Sequence, residues 1–277
     1  MLLVGVAGGA PTARAESAIV LETRGGLEPV GATTFDDHGQ AIGASSFEVT
    51  TDDDGLRRMK VRMEVEGGGR TLSEALLAPI AGAMGGRAGA VDHAHTSPER
   101  HAYRLLEQRS QATRADGVTL DLLVIDHLAG RVSCIPADAD LDADTDPGRH
   151  LAIPEDDRIV NVPMQLLFEP LVMGETDAVH FQIALCRDGP VLHDMIAVRG
   201  PRAEHAGREV VEVRYGPDLG TAMSWIASRL LPKFSFWFDG ADGGYLGHRM
   251  PLHTKGPEVL LVRQGLTPPA LGLADLD

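Results

Sequence analysis

The stretch "VDHAHTSPERH" holds the set of side chains best suited to binding a metal. His93 and His95 stand two apart, so on an extended segment both imidazoles face one side. His101 follows from the next element, and Asp92 adds a carboxylate. Imidazoles backed by a carboxylate are what a hydrolytic zinc site uses, which makes a metal-dependent hydrolase one reading of the chain. The plainer reading is a polar loop in a sequence that has eleven histidines. A second oxygen-rich run alternates Asp138, Asp140, Asp142, Asp144 and Asp146 before Gly148. Such hard ligands suit Ca²⁺, but Pro147 breaks the EF-hand order and no glutamate closes the loop, so a solvated acidic loop is expected.

Apolar chemistry has a clearer address. The chain has seven Phe, three Tyr and two Trp, and Phe234, Phe236, Trp237, Phe238 and Tyr245 crowd into one short stretch. On a strand, Phe234, Phe236 and Phe238 share one face, while Trp237 lies on the other with Ser235 and Asp239. That face is either core or one wall of an apolar cavity. Met164, Leu167, Phe168 and Met173 supply a matching wall, methionine adapting readily to lipid-like ligands. Signatures of common enzymes are missing: no G-x-S-x-G, no G-x-x-x-x-G-K, no H-E-x-x-H. No cofactor is implied.

The elements that would position these residues are mostly strands. In "LRRMKVRMEVEG", Met59, Val61, Met63 and Val65 alternate with Lys60, Arg62, Glu64 and Glu66, giving one buried and one wet face. "VTLDLLVIDHLAGRVSCI" reads as two strands about a Gly130 turn, and "AVHFQIALCRDGPVLHDMIAV" as two about Asp188-Gly189. "KFSFWFDG", "YLGHRMPLHT" and "PEVLLVRQG" are three more. The links are too short for helical crossovers, so the strands pair antiparallel. Helices are fewer. A Thr71/Glu74 capping box predicts one in "TLSEALLAPIAG", and Ser97-Pro98 opens another in "SPERHAYRLLEQ". "YRLLEQRSQATRADG" fits equally well as a strand entering the Asp116-Gly117 turn. "NVPMQLLFEPLVMGE" predicts a short helix before Pro170, and "DLGTAMSWIASRLLP" one with Leu219, Met223, Ile226 and Leu230 on a stripe. "TPPALGLADLD" reads as a loose tail. The fold class expected is mainly β: a large curved antiparallel sheet or open barrel with a few short helices.

The opening "MLLVGVAGGAPTARAES" is apolar up to Pro11, and Ala13-Arg14-Ala15 fits a signal-peptidase site. Residues 1–15 are therefore read as the remnant of a truncated signal peptide, and 16–277 as one β-rich domain, with a division into halves near 137–157 as the alternative. The net charge of −15 disfavours nucleic acid and anionic lipid headgroups, though not capture of one lipid tail. No stretch is long and apolar enough to span a membrane. Spacing leaves both pairing and non-pairing of Cys134 and Cys186 open.

"RIVNVPMQLLFEPLVMGETDAVHFQIALCRDG", "GREVVEVRYGPD" and "FSFWFDGADGGYLGHRMPL" resemble, in that order, a poorly characterised family of exported bacterial proteins, over roughly residues 100–270. The resemblance implies a long curved antiparallel sheet, similar in architecture to periplasmic lipoprotein carriers, and a periplasmic or secreted location. It implies no activity and no functional residue. The function expected is non-enzymatic binding of an apolar or lipid-like ligand in the concavity of the sheet. The alternatives are the metal-dependent hydrolase and an envelope protein that recruits a protein partner through a sheet edge.

Overall fold

The computed structural model describes residues 19–23, 27–67, 69–80, 101–139, 149–154, 158–220, 234–252 and 257–273. Among these residues, fifteen strands form one antiparallel sheet. The first nine are β1 (Val20–Thr23), β2 (Val30–Phe35), β3 (Ala41–Thr51), β4 (Arg57–Val65), β5 (Arg70–Pro79), β6 (His101–Thr113), β7 (Leu122–Asp126), β8 (Arg131–Ile135) and β9 (Arg149–Ala152). A helix, α1 (Met164–Val172), precedes β10 (Ala178–Cys186), β11 (Pro190–His205), β12 (Arg208–Pro217), β13 (Phe234–Asp239), β14 (Tyr245–Pro251) and β15 (Glu258–Arg263). Two meanders, β2 to β9 and β10 to β15, are joined where β15 pairs with β2. The short β1 lies beside the first residues of β6.

Aspartate and glycine set the hairpin turns. The Asp36 carboxylate accepts the backbone N–H of His38 and Gln40, Asp52 does the same for Asp54 and Leu56, and Asp116 for Val118. Gly39, Gly55 and Gly117 then take positive φ, so each reversal closes with few residues.

The strands anticipated from alternation are present, as is the helix expected between Asn161 and Pro170, although it runs on through Pro170 to Val172. The helix expected at 71–82 is instead β5. There Ser73, Ala75 and Leu77 are buried, while Leu72 is exposed and Glu74 and Leu76 only half-buried. That is a period of two, and ladders to β4 and β6 on both sides outweigh a local capping box. The same holds for 101–108, which enters β6 as a strand. Ser97-Pro98 and most of the predicted helix at 219–230 lie outside the described residues. The tail is not loose where it is described. Pro268–Leu271 forms a 3-10 helix, and Leu271 joins Val210, Trp237, Leu246, Leu260 and Val262 in a cluster on the outer face. Gly247 permits this seating, since a Cβ there would stand 2.5 Å from the Leu261 carbonyl and 2.9 Å from Leu271 Cδ1.

The sheet rolls up and overlaps itself. Pairing from β6 carries one face through Gln108, Ile125 and Val132, and through Ser110, Leu123 and Cys134. This is the inner face, because Gln108 sits opposite Ala75, and Ala75 shares a buried cluster with α1. On β10 the inner face carries Val179 and Phe181, so Ala184 and Cys186 project from the outer face. Yet Ala184, Cys186 and Leu192 pack with Leu123, Ile125, Val132 and Cys134, and Cys134 is disulfide-bonded to Cys186. The inner side of β7–β9 therefore lies against the outer side of β10–β11, as in a scroll. Among the described residues, the terminal strands β9 and β10 are not hydrogen-bonded to each other.

The disulfide spans 52 residues. By the loop-closure relation, replacing both cysteines by serine is expected to cost about 4 kcal/mol. Denaturant unfolding of the double variant against the oxidised protein measures it, and an unchanged midpoint would show that apolar packing alone holds the overlap.

Candidate functional site

Helix α1 lies inside the roll. Phe168, fully buried, is the centre of its contact: its ring meets Phe181, Tyr215 and Phe236 at centroid distances of 5.7, 5.6 and 5.3 Å. Those partners come from β10, β12 and β13, so one helical side chain ties three strands together. Pro163 offers no side-chain cap, and Pro170 interrupts the helical hydrogen bonds, so burial rather than propensity holds α1 in place. Its exit is tight: Gly174 has φ +74°, and a Cβ there would lie 2.6 Å from Arg199 Nη1.

Of the anticipated ligand residues, Met164, Leu167, Phe168, Phe236 and Phe238 are buried in this cluster, while Phe234 and Met173 are half-buried at its margin. Phe236 stacks on His248, ring centroids 4.8 Å apart, and lies 6.2 Å from Phe238. The structure thus brings both anticipated walls together, with α1 seated between strands.

Away from α1 several inner-face residues are only half-buried. Phe47 and Val49 of β3, Val61 of β4, Ser110 of β6, and Tyr245 and His248 of β14 share this face by register and keep accessible surface. Their neighbours Met59, Ala75 and Gln108 on the same face are buried. Two hydroxyl pairs lie on the same face: Thr34 with Ser45 at 3.1 Å and Ser73 with Ser110 at 2.9 Å. Met63, Leu252, Val259 and Leu261 form a separate apolar cluster, and Thr71 donates to the Leu252 carbonyl at 2.9 Å.

Tyr245 Oη and His248 Nδ1 are 2.5 Å apart. Burial raises the tyrosine pKa, so the phenol keeps its proton, and the tautomer of His248 decides which group donates in this bond. Burial also lowers His248 to about 4, which leaves a neutral ring. Sequence reasoning placed Tyr245 among the aromatics but passed over His248, whose only signal was its position one hairpin from Phe236.

A second polar centre fixes the seam. Gln108, 1% exposed, accepts the backbone N–H of Asn161 and Val162 at 2.6 and 2.9 Å. Its Nε2 donates to the Ile159 carbonyl and to His127 Nε2, both at 2.8 Å. The segment so held runs along the edge of β10, where Val160 and Gln182 N–H groups bond across. The Asn161 side chain then exchanges two hydrogen bonds with the Ala184 backbone at 2.7 and 2.9 Å. The free edge of β10 is thereby covered by its own chain.

The metal reading fares differently. Asp92, His93 and His95 lie outside the described residues, as do Asp140 to Asp146. His101 opens β6 opposite Thr23, and Asp138 is exposed after β8. Among the described residues, no three His, Cys, Asp or Glu side chains are grouped to hold a metal, and no helix is long and apolar enough to cross a membrane. No family model, no curated protein and no solved structure matches this chain.

Proposed function

We propose that this is an exported, non-enzymatic protein that binds an apolar or lipid-like ligand inside the rolled sheet. The observation that carries the reading is the residual accessibility of inward-facing Phe47, Val49, Val61, Tyr245 and His248 beside a packed aromatic cluster. Apolar surface left open to water on the inside of a fold is what an acyl chain would cover. The disulfide and the resemblance to exported bacterial proteins support the location. Helix α1 fills the part of the concavity lined by Phe181, Phe236 and Phe238, so the ligand takes the part under β3, β4 and β14.

The test is native mass spectrometry and lipid extraction of protein purified from the periplasm, followed by uptake of a fluorescent fatty acid. A bound acyl species and saturable uptake are expected. Repeated recovery of empty protein, with no uptake, would sink the proposal. Side-chain truncation separates wall from core. Phe47→Ala is expected to weaken uptake several-fold, at a cost in stability well under the about 3–5 kcal/mol of a fully buried phenylalanine. Thermal unfolding and uptake are measured on one preparation. A large stability loss with unchanged uptake would make Phe47 ordinary core.

The edge-recruitment reading has one observation of its own. Strand β9 ends the sheet order, and all four of its side chains are exposed. Stable co-purification of an envelope protein, abolished by proline at Leu151, would favour it.

A further inference from the structure

We infer that His248 is the polar anchor of that ligand, its Nε2–H donating to the carbonyl or carboxylate oxygen of an acyl chain. The inference rests on the apolar-ligand reading and adds the chemistry of the ligand's head. Four observations converge. His248 lies on the inner face, paired with Phe236 on one side and Leu261 on the other. Its Nδ1 is already bonded to Tyr245 Oη, and with the tyrosine as donor the ring proton sits on Nε2. Nε2 is shut off from solvent and has no partner among the described residues. The hydroxyls that share the inner face satisfy one another or the backbone, in the pairs Thr34–Ser45 and Ser73–Ser110 and in the Thr71 bond to Leu252.

An enclosed N–H without an acceptor is a standing cost, and any ligand that supplies the acceptor recovers it. The other buried polar atom without a described partner, Gln182 Oε1, sits on the outer face of β10 and takes no part. Because the free nitrogen is a donor, the pocket favours an acceptor head. It rejects an alkylammonium, which brings only donors and a positive charge.

The experiment compares hexadecanoic acid, methyl hexadecanoate, hexadecane and hexadecylamine as competitors of a fluorescent acyl probe. It uses the wild-type protein, His248→Phe, and the double variant Tyr245→Phe with His248→Phe. The double variant removes both partners of the buried bond together, so it keeps the fold where the single variant leaves the tyrosine hydroxyl unpaired. The wild type is expected to prefer the acid and the ester over hexadecane and hexadecylamine by about 10- to 100-fold. Both variants should lose that margin, with hexadecane affinity unchanged. In the wild type, the His248 Nε2 resonance should shift with hexadecanoic acid and stay put with hexadecane. A folded double variant that keeps the margin, or a resonance that does not respond, overturns the anchor. Equal wild-type affinity for hexadecane and the acid overturns the anchor alone. Binding of none of the four overturns the apolar-ligand reading beneath it.

Discussion

Replacing Gln108 by leucine is expected to destabilise the protein by at least about 4 kcal/mol, more than its exchange for a residue of similar size would otherwise cost. One amide serves four partners: two backbone N–H groups, one carbonyl and the imidazole of His127. Leucine fills the volume and satisfies none of them, and each orphaned group costs about 1–3 kcal/mol where water cannot enter. Glutamate keeps the two accepted bonds and loses the two donated ones, so Gln108→Glu is expected to fall between wild type and leucine. Denaturant unfolding of the two variants provides the ranking. Hydrogen exchange at Asn161, Val162 and Ala184 localises the damage to the seam. A leucine variant within about 1 kcal/mol of wild type would show that the seam is held by apolar packing and the disulfide.

Acidification is expected to be the other large perturbation. His127 and His248 are both held near pKa 4 by burial, in His127 against the pull of neighbouring Asp126. In the unfolded chain each titrates near its ordinary 6.5. Above pH 6.5 neither binds a proton in either state, and they leave stability unchanged. As pH falls from 6.5 toward 4 the unfolded state takes up protons that the folded state refuses, so stability is lost across that window. The loss is on the order of 3 kcal/mol per histidine. The His127 bond also needs a neutral ring, since its Nε2 accepts from Gln108. Urea midpoints between pH 4 and 8 read the slope. His127→Gln removes about half of it, and a flat profile over that range would show that neither ring is enclosed in solution.

How much of this was legible depends on what each segment carries. Strands with large apolar residues announced themselves: Met59, Val61 and Met63 in β4, and Phe181 in β10, follow the pleat without interruption. Strand β2 and the first half of β3 did not, because their inner face is built from Ala32, Thr34, Gly43 and Ser45, whose small and hydroxylic side chains carry no hydrophobic period. The capping box at Thr71 misled for the opposite reason: a local signal was present, and two neighbouring ladders overrode it. Both aromatic walls were readable as residues, but their meeting across α1 depends on strands that are distant in sequence. The seam was invisible. Gln108 and Asn161 are ordinary polar residues until the roll brings backbone groups 51 to 54 positions from the first and 23 from the second within reach of their amides. His248 is the same kind of case, since its significance lies in what Nε2 lacks.

The overlap of the scroll also sets the order in which the chain can assemble. Strands β7–β9 come off the ribosome first, yet the surface they cover belongs to β10 and β11, and the join between the two meanders pairs Phe35 with Leu260. The leading half must therefore wait with Leu123, Ile125 and Val132 uncovered and Cys134 without its mate until the trailing half exists. Pairing at such sequence separation is slow, and exposed strands in the interval invite wrong partners. A chain of this topology is expected to depend on a holdase before completion and to close its cross-link as a late event. Pulse-labelling of thiols during synthesis would then find both cysteines reduced until the last strand has emerged.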